Sequence, residues 1–131
     1  MITERISSGS AFEAVAGYSR AIVVKHAAHA EIFVSGCTGF DYGSMTISPD
    51  VAEQARQCFV NIAVALAQAS ADLSHVTRVR YYFTDGAYWE QVAPVFGEHL
   101  GEARPAATAL VCALIDPRMK IEIEVDARLP L

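Results

Sequence analysis

The sequence contains few charged residues, and basic residues are scarcer than acidic ones. Charged residues make up 19% of the chain, and 10 Lys and Arg stand against 15 Asp and Glu, which gives a net charge of −5 at pH 7. Proteins that bind nucleic acid usually carry a basic face. Because the basic residues here are scattered as well as outnumbered, the sequence predicts no nucleic-acid partner.

Long apolar runs, a targeting segment and a cysteine framework are also missing. No stretch approaches the roughly 18 apolar residues of a membrane-spanning helix. The start of the chain, Met1-Ile-Thr-Glu-Arg, contains an acid and lacks the apolar segment of a signal peptide. The three cysteines, Cys37, Cys58 and Cys112, are odd in number and widely spaced, which favours free thiols in a reducing compartment. We therefore expect a soluble cytoplasmic protein with no membrane partner.

Motifs for metal ions and cofactors are incomplete. His26 and His29 form a His-x-x-His pattern in a predicted turn, but no Cys, His or Asp cluster completes the three or four ligands of a metal site. The pair Gly36 and Gly39 is too closely spaced for a phosphate loop, and no Lys-Ser or Lys-Thr follows it. The sequence predicts neither a metal nor a cofactor.

Hydrophobic residues, by contrast, are abundant. They make up 53% of the 131 residues, and the mean hydropathy is +0.26. This composition excludes intrinsic disorder and a coiled coil. The length fits one domain covering residues 1–131, since domains cluster at about 100–150 residues. A small domain with this many apolar residues is expected to bury part of its surface in an oligomer.

Periodicity predicts an α+β domain with the element order β-β-α-β-α-β-β, in which two helices cover one face of the sheet. Ser48 is predicted as the N-cap of the first helix and Pro49 as its first residue, and Gly101 as the C-cap of the second. The predicted strands are 18–24, 31–36, 76–83, 106–115 and 119–126, and the predicted helices are 48–69 and 88–100.

Finer patterns predict which faces of these elements are buried. Trp89 and three residues at helical spacing after it (Val92, Phe96 and Leu100) form the apolar stripe of the second helix. Segment 106–115 is almost wholly apolar, which is typical of a strand covered on both faces, and we expect another subunit to cover it. Segment 119–126 alternates apolar and charged residues, as a half-buried strand does. The loop 36–43 is predicted either as a lid carrying Phe40 and Asp41 or as an ordinary surface loop.

Short motifs spread along nearly the whole chain identify a resemblance. They are Gly17-Tyr18, Phe33-Val-Ser-Gly36, Glu53-Gln-Ala-Arg-Gln-Cys-Phe-Val-Asn-Ile62, Arg104-Pro-Ala-Ala107 and Lys120-Ile-Glu-Ile-Glu124. Each is weak alone, but together and in order they resemble the Rid/YjgF family of reactive-intermediate deaminases. The resemblance implies a chorismate-mutase-like fold with a mixed sheet, and a homotrimer with a cleft between adjacent subunits. It also implies hydrolysis of enamines and imines, such as 2-aminoacrylate, to 2-oxo acids and ammonia.

The chain departs from the deaminating members of that family in the second-last strand. Those members have Pro-Ala-Arg-Ser-Cys there, and the guanidinium clamps the substrate carboxylate through two hydrogen bonds. Here the run reads Pro105-Ala-Ala-Thr-Ala109, and an ungapped count back from Lys120 puts Ala107 at the arginine and Ala109 at the cysteine. A methyl group cannot bind a carboxylate. The chain therefore resembles a subgroup without the arginine, and 2-aminoacrylate deamination is not expected.

Glu122 is the predicted catalytic residue, because it matches the family's acid that positions the attacking water. A carboxylate in a partly dry cleft can act as a general base. The alternative is a surface acid paired across the strands with Arg78 or Arg80. Tyr18 and Ser35 match cleft positions of the family. The full set of predicted binding residues is Tyr18, Arg20, Ser35, Cys37, Tyr82, Arg104, Ala107 and Thr108.

Two of these binding residues are candidates to replace the missing arginine. Arg20 lies two residues after Tyr18, and therefore on the same face of a strand. Arg104 precedes Pro105 and is expected to be extended. The alternative is that Arg20 is an exposed hairpin charge and Arg104 a surface or interface residue. Cys37 is either a cleft thiol or, more commonly for free cysteine, a buried apolar filler.

Two functions from different classes fit these residues. In the first, the chain is a hydrolytic deaminase for a small imine, enamine or related substrate: Glu122 orients water, backbone amides near Thr108 stabilise an oxyanion, and Tyr18 shapes the cleft. In the second, the chain is a non-catalytic trimer that binds a small metabolite or has a regulatory role. RNA cleavage has been attributed to family relatives, and the acidic charge balance disfavours it here.

Overall fold

The structure is a computed structural model that describes residues 2–131 and contains eight strands and three α-helices. The strands are β1 (Glu4–Ile6), β2 (Ala21–Lys25), β3 (His29–Thr38), β4 (Phe40–Asp41), β5 (Thr46–Ile47), β6 (Val76–Phe83), β7 (Ala106–Val111) and β8 (Ile121–Pro130). The helices are α1 (Ala11–Ala16), α2 (Val51–Gln68) and α3 (Trp89–Leu100). Short 3-10 turns at Leu73–His75 and Gly86–Tyr88 precede β6 and α3.

Six strands form a mixed sheet in the order β1-β2-β3-β8-β6-β7, and β4 and β5 form a separate hairpin. Neighbouring strands of the sheet are antiparallel except β6 and β7, which are parallel. Parallel neighbours need a crossover connection, and α3 provides it. β7 lies at one edge of the sheet and pairs with β6.

Helices α2 and α3 pack on one face of this sheet, which confirms the predicted layering. Cys58, Phe59 and Ile62 of α2 are fully or almost fully buried, against strand residues such as Ile123. Phe96 of α3 stacks on the ring of Tyr81 in β6, with centroids 3.7 Å apart. Burial of these side chains away from water supplies the main driving force for the fold.

The opposite face of β6 and β8 carries polar side chains, as the alternation predicts. In the antiparallel register, Arg80 lies opposite Glu124 and Tyr82 lies opposite Glu122. The Arg80 guanidinium also approaches Asp126, at 3.8 Å. The buried and polar residues of β8 alternate because successive side chains of a strand point to opposite faces.

The first long helix begins two residues later than predicted. Asp50, not Ser48, is its N-cap, and the Asp50 carboxylate accepts a hydrogen bond from the backbone N–H of Glu53 at 2.9 Å. Ser48 instead accepts a hydrogen bond from the N–H of Asp50. Pro49 therefore lies before the helix. The predicted C-cap of α3 at Gly101 is confirmed.

The first helix of the chain, α1, was not predicted. Its ends carry the expected signals: the Ser10 hydroxyl accepts from the N–H of Phe12, and Gly17 ends the helix at φ +71° in the left-handed region that glycine favours. With six residues it is too short to show a clear periodicity. The hairpin after it is shifted to 21–25 and 29–38 from the predicted 18–24 and 31–36.

Three predictions about burial and length at the end of the chain were wrong. Trp89 is 49% exposed, because it begins α3 at the margin of the core. β7 ends at Val111 and not at residue 115. All six of its residues are exposed in the single chain, so the expected cover by another subunit stays a prediction. Cys112 follows β7 and is exposed as well, whereas Cys58 of α2 is buried. β8 begins at Ile121 and continues to Pro130.

Among the helices of residues 2–131, none combines the length and the hydrophobicity that a membrane crossing requires.

Candidate functional site

A cavity of about 640 Å³ lies where α1 faces the C-terminal end of β3 and the start of β8. Ser35, Gly36 and Thr38 of β3 and Glu122 of β8 form its sheet side, because Thr38 and Glu122 are partners in the register. Its other lining residues are Ala11, Phe12, Val15, Ala16, Tyr18, Tyr42, Ile115 and Met119. The cavity is therefore an apolar space against one polar strip of sheet.

Glu122 is the single charged residue among the described residues that line this cavity. Within residues 2–131, neither a hydrogen bond nor an ion pair engages its carboxylate, and Tyr82, not an arginine, lies opposite it on β6. Arg80, which the alternative interpretation paired with Glu122, approaches Asp126 instead. The carboxylate is thus free to contact a bound molecule or water.

Gly36 allows the Glu122 carboxylate to lie against the backbone of β3. A Cβ atom built on Gly36 would come within 2.1 Å of Oε2 of Glu122. The register of β3 against β8 shifts between Val34 and Cys37, which marks a β-bulge at this point. Bulges re-aim side chains near functional sites, and this one opens the space that the carboxylate occupies.

The pKa of Glu122 is raised above its ordinary value of 4.5. Burial is the largest cause, the negative charge of Glu124 adds to it, and the Arg20 guanidinium opposes it. The Glu122 charge in turn contributes to the raised pKa values of Cys37 and Cys58. A carboxylate with a raised pKa holds a proton more readily than an exposed one, which suits proton transfer near neutral pH.

Besides Glu122, four residues that line the cavity carry hydroxyl groups: Tyr18, Ser35, Thr38 and Tyr42. The Tyr42 hydroxyl accepts a hydrogen bond from the N–H of Thr38 at 3.0 Å, and burial raises the pKa of Tyr42 to about 12. The Ser35 hydroxyl donates to the carbonyl of Ser19 at 2.6 Å. The Tyr18 hydroxyl accepts from the Arg20 guanidinium at 3.4 Å. The structure thus brings the predicted residues Tyr18, Ser35 and Glu122 to one cavity.

Arg20 lies beneath the cavity and not in it. Its side chain is 1% exposed, its Nη1 donates to the carbonyl of Gly36 at 2.8 Å, and its Nε lies 3.6 Å from the Glu13 carboxylate. The guanidinium also packs over the ring of Tyr42, 4.4 Å from its centroid. Arg20 is therefore not an exposed hairpin charge; it lies behind the wall, bonded to the lining residues Gly36 and Tyr18 and paired with Glu13.

Cys37 is fully buried and does not reach the cavity. It lies on the core face of β3, opposite Ile123 of β8. Burial raises the pKa of the Cys37 thiol to about 11, although the nearby Arg20 lowers it. A thiol with this pKa is protonated at neutral pH, and the thiolate is the reactive form. Its position is that of a buried apolar filler.

The remaining predicted residues lie outside this cavity. Arg104 is exposed at φ +47°, not extended, because its N–H bonds to the carbonyl of Leu100 and closes the end of α3. Ala107 and Thr108 are exposed on β7, separated from β8 by β6. Within one chain, these three residues therefore contribute nothing to the cavity walls.

Tyr82 lines a smaller hollow of about 260 Å³ that shares Gly36, Ile115 and Glu122 with the main cavity. Its hydroxyl donates a short hydrogen bond to Glu124, and this bond is the main cause that raises the pKa of Tyr82 to about 12. Glu122 thus stands between two connected spaces, and Tyr82 is engaged with its neighbour along β8.

The predicted lid residues are placed differently. Phe40 is 1% exposed and packs on Phe12 and Met119, while Asp41 turns outward and accepts from the N–H of Gly43. Beyond the end of β3, Tyr42 is the residue of segment 36–43 that lines the cavity. Sequence reasoning missed it, together with the apolar wall from α1, whose Ser10 and Gly17 caps were the available signal.

The His26 and His29 pair has a third neighbour in the structure. Glu31 lies 2.9 Å from Nε2 of His26, and the candidate ligand atoms of the three residues lie within 4.8 Å of one another. The sequence interpretation found no completing residue because it did not consider a glutamate across the hairpin. Arg128 pairs with Glu31 at 3.2 Å, so this cluster is a surface ion-pair group far from Glu122 in the sheet.

The chain is similar in sequence to a known family and to proteins of known name. Residues 8–129 match the sequence model of the Endoribonuclease L-PSP family. The 2-iminobutanoate/2-iminopropanoate deaminase of Bos taurus is 29% identical over 97% of this chain and 90% of its own length. A RutC family protein of Pyrococcus abyssi is 30% identical over 97% of this chain and 98% of its own length.

Solved structures agree with this match. A member of the YjgF/YER057c/UK114 family from Mycobacterium tuberculosis gives a TM-score of 0.83 at 38% identity, covering 95% of this chain and 97% of that chain. RidA from an Antarctic Psychrobacter gives 0.80 at 29% identity, covering 95% and 98%. These structures confirm the predicted fold class, and the chain belongs to the Endoribonuclease L-PSP family, the family of the YjgF and Rid proteins.

Proposed function

We propose that this protein hydrolyses the C=N bond of a small imine or its enamine tautomer, with Glu122 as the general base. The observation that carries the proposal is an unpaired carboxylate of raised pKa against the wall of an apolar cavity. Relatives named 2-iminobutanoate/2-iminopropanoate deaminase support the reaction class.

The chemistry requires one carboxylate and one water. Glu122 takes a proton from water as the water oxygen adds to the carbon of the protonated imine, which gives a carbinolamine. Glu122 then gives this proton to the nitrogen, the C–N bond breaks with its electron pair leaving on nitrogen, and the hydroxyl proton passes back to Glu122 as the C=O bond forms. The products are a carbonyl compound and ammonia or an amine. A positioned general base contributes about 10²- to 10⁴-fold to such a step.

The substrate differs from that of the deaminating relatives in one respect. Ala107 stands where those proteins are expected to carry a carboxylate-binding arginine, and neither Arg20 nor Arg104 lines the cavity. We therefore infer an arginine-lacking member of the family whose substrate is not 2-aminoacrylate.

We also infer a homotrimer, in which β7 of one copy covers the site of the next. The exposure of Leu110, Val111 and Ile115, at 51%, 59% and 94%, supports a partner on this side, since large exposed apolar surfaces mark interaction sites. In that arrangement backbone amides near Thr108 of the neighbour would reach the reacting oxygen.

Assembly is tested by sedimentation equilibrium. The protein is expected to sediment at three times 14.1 kDa, and Leu110→Glu to sediment as a single chain, because a charge buried in an interface without a partner is costly. Val60→Glu is the matched control, because Val60 is equally exposed on α2. A single-chain mass for the unmodified protein contradicts the trimer.

Turnover is tested by presenting small imines, generated in the assay by oxidation of amines, and measuring the carbonyl product and released ammonia. The expected result is a first-order hydrolysis rate well above that of buffer for at least one imine. Binding with recovery of every ligand unchanged would overturn the proposal and favour the alternative, a non-catalytic binding or regulatory protein. A stabilised melting temperature reports binding in either case.

A further inference from the structure

The charged group on the wall of the main cavity is negative, whereas an acidic substrate would need a positive one. Among the described residues that line it, Glu122 alone is charged, and none is Lys, Arg or His. The nearby Arg20 guanidinium is buried and ion-paired with Glu13; it lowers the pKa of Glu122, but burial and Glu124 outweigh it and keep that pKa raised. The charge on the cavity wall itself is that of the Glu122 carboxylate.

The walls of the cavity are mostly apolar, and its volume is larger than that of a three-carbon acid. Phe12, Val15 and Ala16 of α1 face Ile115 and Met119 from the segment between β7 and β8. Val15 is 89% exposed and Ile115 is 94% exposed, so both form an apolar rim. A volume of about 640 Å³ lies in the roughly 300–1,000 Å³ range of pockets that enclose small organic ligands.

A second copy of the chain would not reverse this charge. The segment 105–115, which contains β7 and is expected to cover the site, has no charged residue. Ala107 lies within it, and Arg104 lies just before it with its backbone turned into the left-handed region. Covering the cavity would therefore add apolar surface and lower the local dielectric, which strengthens the influence of Glu122 on a ligand.

We propose that this cavity selects ligands that join a protonated nitrogen to an apolar group, and that it discriminates against carboxylates. The inference rests on the proposed function in one respect: the substrate would be the iminium form of an imine without a carboxylate, made from an apolar aldehyde or ketone. The Glu122 carboxylate would face the positive nitrogen before water adds to the carbon. A protonated primary amine joins the same positive charge to the same apolar group, so it is a stable probe for this ligand class.

The inference is tested with two pairs of probes that differ mainly in charge, 3-methylbutylamine against 3-methylbutanoate and benzylamine against benzoate. Isothermal titration at pH 7 is expected to show each amine binding at least tenfold more tightly than its carboxylate partner. Glu122→Gln is expected to reduce that ratio below about threefold, and Glu124→Gln to keep it, because Glu124 is bonded to Tyr82 in the smaller hollow.

A second measurement does not depend on a variant. Amine affinity of the unmodified protein is expected to fall as the pH is lowered through the raised pKa of Glu122, while the amine stays protonated. The titratable groups that interact with Glu122 are Glu124, Arg20, Cys37 and Cys58, and Glu124 is the other carboxyl group among them. The Glu124→Gln variant therefore separates its contribution.

The outcomes separate this inference from the proposed function. Equal or tighter binding of the carboxylates, or an amine preference that survives Glu122→Gln, overturns the ligand class even if imines are hydrolysed. An amine preference without any hydrolysis overturns the proposed reaction and leaves the ligand class standing. An amine preference together with hydrolysis of apolar imines supports both.

Discussion

Replacing Glu122 by glutamine is expected to lower the rate of imine hydrolysis by about 10²- to 10⁴-fold, the range over which a positioned general base acts. The amide has nearly the same size as the carboxyl group and cannot take a proton from water. No hydrogen bond or ion pair of the described residues is broken, because the carboxylate has none. Single-turnover measurement of carbonyl formation at saturating imine checks the loss, and an unchanged rate would remove Glu122 from the mechanism.

Glu124→Gln is the matched control on the same strand. Glu124 raises the pKa of Glu122 through its negative charge, so the variant is expected to move the acidic limb of the rate profile to lower pH and to keep the plateau. Only the ionised form of Glu122 accepts a proton, and the rate of the unmodified enzyme therefore declines as pH falls, starting above the ordinary glutamate range. A plateau that collapses in Glu124→Gln would assign Glu124 a direct role.

The contribution of Glu122 to the free energy of unfolding changes with pH in the opposite direction to the rate. The pKa of Glu122 is higher in the folded than in the unfolded chain, so its contribution is fully present below about pH 4.5 and is lost as pH rises through the folded value. Glu122→Gln is therefore expected to be more stable than the unmodified protein at pH 7, with the difference shrinking at about pH 4. Urea unfolding at the two pH values measures this.

Arg20→Leu is expected to cost about 3–5 kcal/mol of unfolding free energy, which is typical when one partner of a buried ion pair is removed. The variant removes the positive charge beside the buried Glu13 carboxylate, which keeps its hydrogen bonds from Ser8, and it removes the donor to the Gly36 carbonyl. A loss of this size is a large part of the roughly 5–15 kcal/mol that stabilises a domain. Urea denaturation with a constant m-value checks it.

Two further variants identify the cause of the Arg20 effect. Glu13→Leu added to Arg20→Leu is expected to recover much of the loss, because an apolar pair can replace a buried ion pair at little cost. Arg104→Leu is expected to change the free energy of unfolding by less than about 0.5 kcal/mol, since Arg104 is exposed. Equal losses in Arg20→Leu and Arg104→Leu would contradict the buried role of Arg20.

The parts of the site that the sequence predicted are those that resemble a known family. Glu122, Tyr18 and Ser35 lie in such motifs, so all three could be named. Tyr42 and the α1 wall were missed, because a short helix and a hairpin loop show no period long enough to read. Ser35 and Glu122 come together through the pairing of β3 with β8, and Tyr18 joins them from the segment between α1 and β2, where the Ser19 carbonyl accepts from the Ser35 hydroxyl.

Arg20 and Arg104 show why the sequence alone could not predict which arginine lies near the cavity. Arg20 and Arg104 look alike as isolated charges, yet one is 1% exposed and the other lies on the surface. The difference arises because Ser8 and Glu13, on the segment before β2, fold over Arg20 and supply its partners. Such pairing leaves no local pattern, whereas the Gly101 cap of α3 and its apolar residues at helical spacing do.

By itself the sequence determined the α+β class, the two helices on one face and the polar stripe of β8, because helix and strand periods and the burial of apolar residues are local properties of the chain. Tertiary structure decided which charges face the cavity. The strand order, the bulge at Gly36 and the burial of the Arg20 and Glu13 pair leave one carboxylate on its wall, since these depend on contacts between residues that are far apart in the chain.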